Sequence, residues 1–214
     1  TKEINGELVS ILDSDDFFEK EKIFKQVDAF QKNKNISICG TWANFFDEKK
    51  RNYQSFQTNI NNFDLKKRLL FINILPHSSI MYKREVALNS GWYSKDYEYS
   101  QDYDLTLKLI KNNEIHLIKE FMTNIVQHNN TMSNSLHLKR IRIQENIKIL
   151  KNNLINFQTT KKESYLIKNI IQINLIKLAL IDIKKNSLVS IFNIIKIILK
   201  NPLIIFKKNL IKNL

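Results

Sequence analysis

Cysteine and proline are nearly absent: one and two residues, respectively, in a chain of 214. A single thiol excludes an internal disulfide framework and fits a reducing compartment. Cys39 lies in the alternating run Ile36-Ser37-Ile38-Cys39-Gly40, where a buried, inert thiol is expected. A long uninterrupted apolar run is also missing near the C-terminus. The run at 188–199 (LVSIFNIIKIIL) is broken by Asn193 and Lys196 and is shorter than the roughly 20 residues a membrane-spanning helix needs. Arginine is sparse there too: beyond residue 133 it occurs only at positions 140 and 142. Disorder is excluded by the 43% hydrophobic content. The length suffices for one sizeable core with an appended segment.

The net charge of +13 is uneven. Residues 1–133 hold 18 Lys/Arg and 18 Asp/Glu, whereas residues 134–214 hold 16 and 3, so the second stretch carries the whole excess. Two domains are therefore expected, 1–133 and 134–214. In the first, residues 7–12 read as a strand. Residues 17–32 read as an amphipathic helix with Ile23, Phe24, Val27 and Phe30 on its apolar face and a capping box formed by Asp16 and Glu19. Residues 36–46 return to strand, and 47–62 are polar and turn-rich. Asp64 caps a helix running to about Ile74, ended by Pro76, and 77–82 reads as strand. A short helix over 83–89 closes at Ser90-Gly91, a helix covers 102–111, and two short strands follow at 115–118 and 121–127. Strands alternating with helices predict an α/β layer architecture. From Leu136 onward the pattern is helical, with Pro202 breaking one helix before another begins.

The strand at 7–12 ends in Asp13-Ser14-Asp15-Asp16. Three carboxylates so close repel one another, and desolvating them is costly. Two readings are open. Asp16 caps the following helix while Asp13 and Asp15 stay in solvent near its positive end. Alternatively, Asp13 and Asp15 hold a hard divalent cation at the carboxyl end of a parallel-type strand, where α/β proteins bind ligands.

GELVSILDSDD followed by an amphipathic helix and ISICGTW resembles the middle of a family 2 glycosyltransferase with the glycosyltransferase-A fold. ILPHSSIMYKREVALNSGWYSKDYEYSQDYDLTLKLIK is similar to that family's acceptor-side segment, and HNNTMS to its closing His-x-x-x-x-Ser. The resemblance implies an α/β fold, a partial glycosyltransferase-A (nucleotide-diphospho-sugar transferase) domain followed by a helical C-terminal segment. It also implies Mn²⁺ or Mg²⁺ as cofactor, held by Asp13 and Asp15 with a nucleotide-sugar diphosphate, in the first place a uridine diphosphate sugar. The cation would neutralise charge growing on the leaving diphosphate. Asp16 is placed near donor sugar or acceptor, unless it only caps the helix. In Gln101-Asp102, Asp102 matches the family's general base, which takes the proton from the acceptor hydroxyl in a single inverting displacement; where the family often has Glu, this chain has Gln101, a neighbour placed at the substrate. The alternative for Asp102 and Asp104 is a helix start with no chemistry.

His128 is implied to reach metal or diphosphate, against the alternative of a surface histidine. His77 is a weaker, acceptor-facing candidate. Trp92 and Tyr93 either stack on a sugar ring or belong to the core. The family's nucleoside-gripping first half has no counterpart before Glu7, so a truncated piece of a longer transferase is expected. No Gln-x-x-Arg-Trp signature of processive synthases occurs, which predicts transfer of single sugars.

The basic, apolar C-terminal stretch predicts an interfacial anchor on an anionic membrane surface, its Lys stems snorkelling. An ordinary helical subdomain is the alternative. The resulting expectation is a cytoplasmic enzyme, peripheral on the inner face of a bacterial cytoplasmic membrane. It would move sugar to a saccharide or lipid-linked saccharide in surface-polysaccharide assembly. An inactive scaffold that binds membrane through its tail is the first alternative. A nucleic-acid-binding protein is the second, disfavoured because the tail interleaves Lys with Ile and Leu and lacks Arg forks.

Overall fold

The computed structural model describes residues 3–47, 49, 51–127, 136–183 and 195–197. The chain forms two compact units, Thr1–Asp96 with Gln101–Thr131, and Tyr97–Ser100 with Met132–Leu214.

The first unit is built on a six-stranded mixed sheet ordered β1-β5-β3-β6-β2, with β4 also paired to β3. The strands are β1 (Leu8–Ser10), β2 (Phe17–Phe18), β3 (Ile36–Asp47), β4 (Asn52–Phe56), β5 (Met81–Lys83) and β6 (Glu114–Gln127). Among the described residues β3 and β6 run parallel and the other pairs are antiparallel. β3 is the spine. Residues 36–41 are all buried, as a strand covered on both faces must be. The helices are α1 (Lys22–Lys32), α2 (Asn62–Leu69), α3 (Arg84–Asn89) and α4 (Gln101–Ile110), with a 3-10 turn at His77–Ser79. Leu105, Leu109 and Ile110 of α4 are fully buried, and the Ser37 hydroxyl donates to the Leu109 carbonyl at 2.7 Å.

Several expectations are corrected. The helix begins at Lys22, not residue 17, because Phe17-Phe18 pairs with Thr123 and Asn124 of β6. Asp16 therefore caps no helix. α1 also presents a different face: Lys22, Gln26, Ala29 and Phe30 are buried, while Ile23 and Phe24 are 41% and 74% exposed. The reason lies in hydrogen bonding. The Gln26 amide donates to the buried carbonyls of Cys39 (2.8 Å) and Ser79 (3.0 Å). Lys22 donates to Gln26 Oε1 at 3.0 Å and stacks 3.7 Å above the Phe18 ring centroid.

The 47–62 stretch contains β4, a hairpin return on β3. α2 is capped by Asn61, whose side chain accepts the Asp64 N–H at 2.8 Å, and it ends at Leu69 rather than near Ile74. Residues 77–79 form the 3-10 turn, leaving only Met81–Lys83 as strand. The two short strands expected at 115–118 and 121–127 are one long strand, β6, with register shifts where Thr41 and Trp42 of β3 face it. The extra residues lie near Lys119 and Glu120, which point outward to the Asn59 carbonyl (3.0 Å) and to Lys25 (2.6 Å). β1 is antiparallel to β5, not part of a parallel pair, among the described residues.

The second unit contains α5 (Leu136–Asn156) and α6 (Lys161–Ile183). Thr160 and Glu163 form a capping box at the start of α6, with Glu163 N–H on Thr160 Oγ1 at 3.2 Å and Thr160 N–H on Glu163 Oε2 at 2.8 Å. Arg140 of α5 pairs with Asp182 of α6 at 3.0 Å. Ile149, Leu150 and Ile167 are fully buried. The segment 97–100 belongs to this unit: Tyr97 is buried, its hydroxyl accepts from Asn152 at 3.2 Å, and the Glu145 carboxylate accepts the backbone N–H groups of Glu98 and Tyr99. Among the described residues one helix, over Lys161–Asp182, is long and apolar enough to cross a membrane by length and composition. The 188–199 run, apart from 195–197, and the Pro202 break lie outside the described residues.

Candidate active site

The acidic cluster follows β1 in a tight turn, closed by Asp16 N–H on the Asp13 carbonyl at 3.1 Å. Three elements fix it. The Asp13 N–H donates to Ser78 Oγ at 3.1 Å, and Ile11 N–H donates to the Ile80 carbonyl at 3.3 Å. The Asp16 carboxylate accepts Val126 N–H of β6 at 3.0 Å. Burial raises the Asp16 pKa; hydrogen bonds from Ser78 and Val126 oppose it, and the neighbouring Asp15 and Asp13 charges add to it. Asp16 is thus a tether between the turn and β6. Asp15 stays exposed, and the Asp13 side chain is 58% exposed. Their exposure to solvent weakens the repulsion between the two.

The turn opens into a cleft of about 310 Å³ lined by Asp13, Asp16, Asn73, His77, Ser78 and apolar residues of β3, β6 and the 74–76 loop. His77 stands on the 3-10 turn with Nδ1 3.9 Å from the Asp13 carboxylate and Nε2 3.1 Å from the Tyr93 hydroxyl. Tyr93 is aimed there by an unusual turn. Gly91 and Trp92 both adopt positive φ, 85° and 55°, while their N–H groups bond back to the Leu88 and Ala87 carbonyls of α3. A non-glycine residue in this region costs about 1–2 kcal/mol. The Trp92 ring offsets part of that by packing edge-on against buried Tyr82, 5.9 Å between centroids, and its carbonyl accepts from Lys108 at 3.0 Å. The Tyr93 hydroxyl is pushed well above the usual tyrosine range, first by burial, then by Tyr82 and by the Asp102 and Asp13 charges. It therefore remains a proton donor at neutral pH.

Asp102 lies in the first turn of α4, half-buried, where the helix N-terminus favours a carboxylate. Its Oδ2 accepts from the Asn73 amide at 2.9 Å, so the cleft residue Asn73 is what positions it. Asp104 is turned away, paired with Lys108 at 2.7 Å. Gln101 opens α4 and is half-buried.

Asp13, Asp16 and His77 thus share one cleft, Tyr93 is tied to it through His77, and Asp102 through Asn73. Trp92 backs Tyr93 and packs toward the core. His128 lies outside the described residues. Asn73 and Ser78 were missed by sequence reasoning. Ser78 carries a weak signal, since a buried Ser-Ser pair is unusual in an apolar run; Asn73, inside Phe71-Ile72-Asn73-Ile74, carries none.

Among the described residues no group of three or more His, Cys, Asp and Glu forms a protein cage for a metal. Asp13 and Asp15 nevertheless fit a hard cation of the kind that takes one or two carboxylates and completes its shell with phosphate oxygens and water.

Residues 1–89 match the family model described as "Glycosyl transferase family 2". The chain is 29% identical over 119 residues to an uncharacterized glycosyltransferase of Methanocaldococcus jannaschii, covering 55% of this chain and 41% of that relative. It thus spans about two fifths of that relative's length. It is also similar to the crystal structure of Staphylococcus aureus TarS 1–349 in complex with UDP-GlcNAc, with 14% identity, a TM-score of 0.48, and coverage of 84% of this chain and 59% of that one.

Proposed function

Taking residues 1–89 as a segment of glycosyl transferase family 2, we propose that the chain transfers a sugar from a nucleotide-sugar donor, a uridine diphosphate sugar in the first place, to a saccharide or lipid-linked saccharide. The convergence of Asp13, His77, Tyr93 and the Asn73–Asp102 pair around one cleft carries this reading. Asp13 and Asp15 would hold Mn²⁺ or Mg²⁺, which supplies positive charge to the departing diphosphate. Asp102, oriented by Asn73, accepts the proton of the acceptor hydroxyl as that oxygen attacks the anomeric carbon. The anomeric carbon–oxygen bond to the diphosphate breaks in the same displacement, so configuration inverts. Tyr93, protonated, and His77 donate or accept hydrogen bonds at the cleft wall beside Asp13. The +13 charge of residues 134–214 and the length and apolarity of α6 support the reading that this enzyme works against an anionic membrane surface, the inner face of a bacterial membrane, in polysaccharide assembly.

The test is calorimetric titration of uridine diphosphate into the chain with Mn²⁺, beside Asp15→Ala. Mn²⁺-dependent binding that disappears in the variant is the expected result. Binding that is indifferent to both Mn²⁺ and Asp15 overturns the metal–diphosphate assignment.

A further inference from the structure

Beside the acidic cleft lies a second one of about 340 Å³, which shares Phe45, Ile74 and Pro76 with it. Its only charged lining residue is Arg68, in the last turn of α2. The three cations of that turn differ sharply. Lys66 donates to the Asn113 carbonyl at 2.9 Å, and Lys67 lies 4.2 Å above the Phe63 ring centroid. The Arg68 Nε–H is buried and has no hydrogen-bond partner, and no ion pair is formed by its guanidinium among the described residues. A guanidinium that lines a cleft with no carboxylate against it is placed to take an oxyanion entering that cleft. Arg51, by contrast, is neutralised by Asp47 at 2.7 Å, and Arg140 by Asp182 at 3.0 Å.

A planar guanidinium fork matches carboxylate and phosphate oxygens. The exposed side chains of Gln54 and Gln57, also in the lining, add amide donors. The volume lies at the lower end of the range of about 300–1,000 Å³ for small-ligand sites, enough for one sugar ring. We propose that this cleft is an anion subsite on the acceptor side: it takes a sugar bearing a carboxylate or phosphate, with the oxyanion forked on Arg68. The carboxylates of the adjoining cleft repel such a group and Arg68 attracts it. The acceptor's charged end is thereby held away from Asp13 and Asp16, and its reach is fixed. The inference rests on the transferase reading for the word acceptor, but the subsite itself does not need the metal.

The test measures binding of glucuronate, glucose 6-phosphate and glucose to the whole chain, its Arg68→Gln and its Arg68→Lys variants, by ligand-observed NMR at millimolar sugar. At least one charged sugar is expected to bind about tenfold or more tighter than glucose. That preference should vanish in Arg68→Gln and be weakened in Arg68→Lys, and the preferred sugar identifies the oxyanion. Mn²⁺-dependent uridine diphosphate binding should be unchanged by Arg68→Gln. Equal binding of all three sugars, no binding of the charged ones, or a preference that survives Arg68→Gln overturns the proposal. So does loss of uridine diphosphate binding in a folded Arg68→Gln, which would give the arginine to the donor. Failure of uridine diphosphate to bind the unaltered chain, with the sugar preference intact, would instead remove the donor-site reading and leave the subsite standing.

Discussion

At the scale of single residues, Asp102 and Lys22 make opposite demands on their surroundings. Asp102 has a half-exposed carboxylate at a helix N-terminus, oriented by one amide donor. Asp102→Asn keeps the shape and removes the basicity. Transfer should fall by about 10²–10⁴-fold, while uridine diphosphate still binds with Mn²⁺; sugar-transfer assays with any accepted donor check this, and retained transfer would dismiss Asp102 as the base. Lys22 is fully buried among Ser10, Gln26 and Phe18, with no ion pair to a carboxylate among the described residues. Burial lowers its pKa from the usual 10.5 to about 7. The unfolded chain therefore binds a proton that the folded chain has released between those two values, so this residue makes stability rise with pH across that window. Burial pushes the nearby Cys39 thiol from 9.0 up to about 12, which works the other way above pH 9. Thermal melting at pH 7.0 and 8.5 isolates the lysine: the melting temperature should rise between them, and Lys22→Met should flatten the rise.

At the scale of elements, the sequence made some features plain and concealed others. β3 was legible because an alternating apolar run at the centre of a sheet has no other stable environment. α3 and α4 were legible because Gly91 and the paired acidic residues mark helix ends. The orientation of α1 was not. Ile23 and Phe24 are the more apolar candidates, but it is Gln26 that is buried, its amide donating to the Cys39 and Ser79 carbonyls. Periodicity counts apolar residues and is blind to buried carbonyls elsewhere in the chain. β4 was hidden because all but the last of its residues face solvent and carry no alternation. In the site, Asp13, Asp15 and Asp102 stood out as carboxylates at element ends, whereas Asn73 and Ser78 act through contacts 29 and 65 residues away that no local pattern encodes. α2 offers a clean check of local rules. Asn61→Ala removes the cap on Asp64 N–H and should cost about 1 kcal/mol of stability, read as a shift in the urea midpoint without a change in slope.

At the scale of the whole molecule, charge is the dominant organisational fact: residues 134–214 carry the entire +13. A chain with this distribution should sediment with vesicles containing anionic phospholipid and not with neutral ones, and the binding should weaken as salt rises. Binding insensitive to both lipid charge and salt would reduce the tail to ordinary helical packing. The return of the chain through residues 97–100 has a practical consequence for dissecting the protein. Those four residues belong with the helical unit, the N–H groups of Glu98 and Tyr99 held by Glu145, although the stretch ends only two positions before Asp102. Cutting the gene near codon 131 would therefore not yield a clean module. It would leave the peptide leading into α4 without its anchor, and loss of activity in such a deletion would report a severed splice rather than a missing membrane contact.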